Sequence, residues 1–182
     1  ANGDWKHVNA IAYNADLDQI AFSSRHHDEI YIIDHSTTTE EAASHDGGNA
    51  GMGGDILYRW GNPAAYDRGT IEDRVLFGQH DVQWIDSNLP GGDNILIFNN
   101  GKNRPSGDYS SIDEIVVPID GYNYIINDTS AFSPLELFWT YNAPNNLDFF
   151  ADHISGCQRL DNGNTLICSG PDGRFFEVNQ LG

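Results

Sequence analysis

Three histidines stand at positions 7, 80 and 153, a spacing of 73 residues each time. Each opens a short stretch that becomes apolar. The first is Asp4-Trp5-Lys6-His7-Val8-Asn9-Ala10-Ile11, the second Gln79-His80-Asp81-Val82-Gln83-Trp84-Ile85, the third Ala151-Asp152-His153-Ile154-Ser155-Gly156-Cys157. A chain that repeats one supersecondary unit puts equivalent residues at equivalent points of the fold. Units arranged about an axis bring three such imidazoles together.

The stretches between the histidines carry the same message. Val8–Tyr13, Gln19–Ser24, Glu29–Asp34 and Asp55–Trp60 alternate or are rich in β-branched and aromatic residues, with turn residues between them. Residues 35–54 read as a long polar surface loop. The order returns in Asp81–Ile85, Asn94–Asn99, Ser111–Pro118 and Leu135–Tyr141, and again in His153–Leu160, Thr165–Ser169 and Arg174–Val178. Tyr58–Pro63 and Trp139–Pro144 are matching closing segments. No stretch sustains a helical period. The expected fold is therefore all-β: a β-propeller of four-stranded antiparallel blades at 4–63 and 79–144, with an incomplete third blade at 151–182. That is about two and three-quarter blades in a single partial domain, part of a ring of about six. A longer chain or a second copy, as in a homodimer, would supply the rest. A β-sandwich is the competing architecture, but it does not explain the spacing.

Charge narrows the function. Nine Lys and Arg face 27 Asp and Glu, a net charge of −18, so nucleic acid and anionic membrane surfaces are poor partners. No apolar run is long enough for a membrane helix. No leader is read at Ala1–Asp4, so an export signal is expected to have been removed or to lie outside this sequence. Cys157 and Cys168 fall on the two arms of a hairpin and form either a disulfide or two buried thiols, depending on register.

Asp4-Trp5-Lys6-His7-Val8-Asn9, Ser23-Ser24-Arg25, Gln79-His80-Asp81 and the run Gln158–Cys168 around Asn162-Gly163-Asn164 together resemble the arylsulfotransferase (aryl-sulfate sulfotransferase) family. The resemblance covers nearly the whole chain. It implies an exported, secreted or periplasmic, six-bladed propeller. Such a protein moves a sulfuryl group from an aryl sulfate to a phenol through a sulfated histidine, without a nucleotide donor or other cofactor. It also implies that His7 and His80 are active-site histidines and that Arg104, after Phe98-Asn99-Asn100-Gly101, is the active-site arginine. His153 is the nearest counterpart of the sulfated histidine by blade position.

The residue types suit that chemistry. A neutral imidazole attacks sulfur and a second protonates the departing phenolate. Arginine forks two N–H groups onto sulfate oxygens. The catalytic candidates are thus His7, His80, His153 and Arg104. Arg25, Trp5, Trp84 and Asn9 are candidates for substrate binding, the tryptophans as stacking faces. No metal is expected. Asp81 and Asp152 are expected to fix turns or tautomers, and His26, His27, His35 and His45 to be solvated. The bland alternative is a non-catalytic propeller that binds a ligand or protein, with the histidines capping strands.

Overall fold

The computed structural model describes residues 3–182. Almost all of its regular structure is antiparallel sheet. The first sheet holds β1 (Val8–Asn14), β2 (Gln19–Ser24), β3 (Glu29–Asp34) and β4 (Ile56–Trp60) in chain order. The second holds β5 (His80–Trp84), β6 (Ile95–Asn99), β7 (Ser111–Ile115) and β10 (Trp139–Tyr141), again in chain order. The third is β11 (Gly156–Arg159), β12 (Thr165–Ser169) and β13 (Arg174–Val178). Among the described residues no sheet closes on itself.

The sheets stack in series because the second is apolar on both sides. β6 reads Ile-Leu-Ile-Phe and is buried throughout. Successive side chains of a strand point to opposite faces. Ile95 and Ile97 join Ala21, Ile30, Ile32, Tyr58 and Trp60 of the first sheet in one core. Leu96 and Phe98 join Cys157, Ile167 and Val178 of the third in another. Each fully buried side chain of this size contributes about 1.5–3 kcal/mol. The two cores hold the sheets face to face and align the ends of β1, β5 and β11.

Several boundaries differ from expectation. β7 ends at Ile115, before the expected Pro118, and β10 begins at Trp139, not Leu135. The residues between are occupied by an unexpected hairpin, β8 (Ile119–Asp120) and β9 (Asn123–Tyr124), turned at Gly121 with φ +63°. Tyr124 from this hairpin completes the first core, which is why the chain leaves the second sheet there. The 35–54 loop contains a single helical turn, α1 (Thr39–Ala42), started by a capping box between Thr38 and Glu41. Asp34 ties that loop down, its carboxylate accepting from Ser36 N and Ala50 N. The third sheet starts at Gly156, so His153 precedes its strand and does not open it. Cys157 pairs with Ile167 and Cys168 with Gly156, so the two thiols sit one residue out of register. Both cysteines are free. Among the described residues no helix is long and apolar enough to cross a membrane.

Candidate active site at the sheet junctions

His7 immediately precedes β1 in left-handed backbone, φ +50°. The end of β2 pins its segment: Ser24 Oγ donates to Lys6 O at 2.7 Å and Arg25 N to His7 O at 3.1 Å. His80 is the first residue of β5 and is 6% exposed. Stacking the first sheet on the second brings the two rings edge to face, centroids 6.4 Å apart. His26, expected to be solvated, lies 5.0 Å from the His7 ring.

All three period-73 histidines are anchored through Nδ1. Asp4 Oδ2 is 2.6 Å from that atom of His7, Asn100 Oδ1 is 2.7 Å from it in His80, and Asp152 Oδ1 is 2.5 Å from it in His153. Anchoring one ring nitrogen leaves the other, Nε2, to meet a substrate. The anchors differ in charge. His7 and His153 have carboxylates, and each histidine holds its partner's carboxyl below the usual range. His80 has a neutral amide. Burial pushes the His80 pKa down, and the charges of Arg25 and His7 add to that, against the raising effect of the bonds from Asn100 and Gly78. Burial therefore favours a neutral His80, while carboxylates stand beside His7 and His153.

Arg25 lies in the turn after β2, close enough to lower the pKa of both Asp4 and His80. Among the described residues its side chain forms no ion pair or hydrogen bond, and its Nε is buried without a partner. Arg25 is half-buried, and a guanidinium outside any ion pair in a chain of net charge −18 keeps its charge available to an anion. Arg104 is placed otherwise. Its Nη2 donates to Ser111 Oγ at 2.6 Å and its Nε to Tyr109 O at 3.2 Å. Its guanidinium lies 4.5 Å from the Tyr109 ring and 5.5 Å from that of Phe77. No contact of this kind joins it to His7, His80 or His153.

The remaining candidates divide. Trp5 is exposed, under Lys6 Nζ at 4.5 Å and 5.8 Å from the His27 ring. It borders a cleft of about 600 Å³ with Lys6, Phe22, His26, His27 and Tyr31. Asn9 donates to Gln79 O at 2.8 Å and so ties β1 to the start of β5. Trp84 is at the far end of β5 from His80, packed on the first core, and is not brought to the histidines. Four residues of strand separate them by about 13 Å. His153 is 55% exposed and follows Asp152, which also takes Lys102 Nζ at 3.1 Å. The turn after it is strained, with Ile154 at φ +45° and Ser155 at φ +88°. A β-branched residue there costs about 1–3 kcal/mol. Asp4, His7 and His26 also place one ligand atom each within 4.8 Å of one another. The positive charge of Arg25 beside Asp4 disfavours a cation there.

Sequence reading passed over Asp4 and Asn100, while His26 is exposed as expected. Asp4 had a signal, since a carboxylate three residues before a histidine is in reach of it. Asn100 had a weaker one, the polar pair Asn99-Asn100 ending an apolar strand.

The chain is all-β, and its first two sheets meet at paired imidazoles beside a guanidinium that forms no ion pair among the described residues. No curated protein matches it significantly. The family model described as Arylsulfotransferase (ASST) matches residues 1–180, nearly the full length. The chain belongs to the arylsulfotransferase family.

Proposed function

We propose that the protein transfers a sulfuryl group from an aryl sulfate to a phenol through a sulfated histidine, at the junction of the first and second sheets. The observation that carries this is Arg25, which forms no ion pair among the described residues and lies next to His7, His80 and the Asp4 carboxylate. Sulfuryl transfer needs positive charge on three oxygens, an in-line nucleophile and a proton for the leaving group. Arg25 binds the sulfate oxygens. His80, kept neutral, uses the Nε2 lone pair to attack sulfur, and the S–O bond to the aryl group breaks. The departing phenolate takes a proton from His7, whose imidazolium Asp4 supports. In the second half the acceptor phenol gives its proton back to His7, its oxygen attacks sulfur, and the S–N bond to His80 breaks. Trp5 offers an exposed face for an aromatic ring. The residues require no cofactor for this.

The three sheets are, in the same proposal, successive blades of a propeller completed by the rest of a longer chain or by a second copy. Large apolar side chains exposed at both ends of the stack support it, Ile11 and Tyr13 on the first sheet and Phe175 on the third. A secreted or periplasmic location goes with it.

The test is incubation with a chromogenic aryl sulfate and a phenol, followed by mass analysis of the trapped protein. Phenol release with one SO₃ group on the His80 peptide is expected, and neither in His80→Ala. Sulfation of His153 would transfer the nucleophile's role to that residue. Absence of both phenol release and protein sulfation would end the proposal.

A further inference from the structure

Asn100 is fully buried at the end of β6, in the loop where the second and third sheets meet. Its side chain makes three hydrogen bonds, one with the first residue of β5 and two with the segment that leads into β11. Nδ2 donates to Ala151 O at 2.7 Å and to Ile154 O at 3.0 Å, while Oδ1 faces His80 Nδ1 at 2.7 Å. The two carbonyls can only accept, so they fix which end of the amide is nitrogen. The oxygen is thereby turned to His80, and an oxygen can only accept there. His80 must then carry its proton on Nδ1 and present Nε2 as a lone pair. Gly78 O, at 3.2 Å from the same Nδ1, asks for the same tautomer.

The other end of the amide does a second job. Ala151 and Ile154 flank Asp152 and His153, and Ile154 begins the strained turn. Ser155 Oγ reaches His153 O at 3.3 Å and takes Gly170 N at 3.0 Å; Asn100 holds the same turn through Ile154 O, while Ser110, Lys102 and Asp81 hold its flanks at Ala151, Asp152 and Cys157. One buried side chain therefore sets the His80 tautomer and holds the backbone of the third period-73 histidine.

We propose that Asn100 is a positioning residue that couples His80 to His153, locking the Nδ1–H tautomer of the first and the strained turn of the second. The inference rests on the proposed role of His80 for its effect on turnover, but not for its effect on the ring. Arg25 and His7 approach that ring from the first sheet and depress its protonation, and Asp81 follows His80 on β5.

The experiment is nitrogen-15 NMR of histidine-labelled protein, combined with kinetics. In the native protein His80 should give the Nδ1–H signature across neutral pH. In Asn100→Ala the ring should populate the Nε2–H form, and kcat should fall by about a hundredfold, with KM less affected. Asn100→Asp keeps the acceptor for His80 and loses the donor for the turn. It should retain the Nδ1–H signature, raise the His80 titration point and still lose kcat, which separates the two roles. It also covers the case in which Asn100→Ala fails to fold. A merely structural asparagine would lower stability and leave the His80 signature and titration as they were. That result, or an Nε2–H ring in the native protein, would overturn the inference. An Nδ1–H ring in a protein with no transferase activity would instead sink the functional proposal and leave the coupling standing.

Discussion

The junction between the first and second sheets and the junction between the second and third are built alike, and they treat charge differently. Each has an apolar core on one face of β6 and a fully buried amide that stitches the sheets. At the first junction the amide is Gln79, which donates to Ser23 Oγ, Ser24 O and Glu29 O. At the second it is Asn100. At the second junction Arg159 from β11 meets Glu114 of β7 with both side chains buried, and Lys102 meets Asp152. The first matches Arg59 to Glu29 and Arg74 to Asp28, yet leaves Arg25 without a partner beside two histidines. A matched buried pair serves folding, because neither charge is left to bind anything else. A partly exposed cation outside any ion pair contributes little to stability and leaves its charge available to a ligand.

The widest break in this comparison is expected from Arg159→Ala. It strands the Glu114 carboxylate in the core and should cost about 3–5 kcal/mol in urea unfolding. Arg25→Ala should behave in the opposite way. Its unfolding midpoint should hardly move, while kcat/KM for an aryl sulfate should fall about 10²–10³-fold, or about 2.7–4 kcal/mol. A large loss of stability in Arg25→Ala would erase the distinction between the junctions. Acidity sharpens it further. His80 is harder to protonate folded than unfolded, so its contribution to stability is complete above its ordinary value of 6.5 and is lost as pH falls through 6.5 towards the folded value. The acid limb of kcat/KM should accordingly lie below pH 6.5, and Arg25→Ala should move it upward by removing a neighbouring positive charge. The smallest effect should come from Asp4→Asn. The Asp4–His7 contact is exposed, so a severalfold loss of kcat/KM at neutral pH and no change in unfolding are expected.

Much of the fold was legible because strands announce themselves locally. β6 has four consecutive apolar residues bounded by turns, and β2 and β3 are rich in β-branched and aromatic residues. β8, β9 and α1 carried signals too, an Asp120-Gly121 turn and the Thr38–Glu41 box, but short elements are outweighed by the surrounding polar sequence. The shortening of β7 and β10 had no local signal. It follows from Tyr124 filling a gap in the first core, a contact between distant parts of the chain. The site was legible in part. The period-73 rule pointed to His7 and His80, whose ring centroids lie 6.4 Å apart. It said nothing of the His153 turn, where the strand starts late because Ile154 and Ser155 take left-handed backbone. Nor could it rank the arginines. Arg104 has the motif and donates to Ser111 and Tyr109, whereas Arg25 lies by His7 and His80; among the described residues neither forms an ion pair.

The sequence by itself determined the strands, their antiparallel order and the recurring imidazoles, because strand propensity and alternation are properties of adjacent residues. Only the tertiary structure decided which charges are spent. Whether an arginine is matched, which nitrogen of a histidine is tied and whether two cysteines face each other depend on the register and stacking of sheets. Those are set by two cores whose residues are brought together from across the chain.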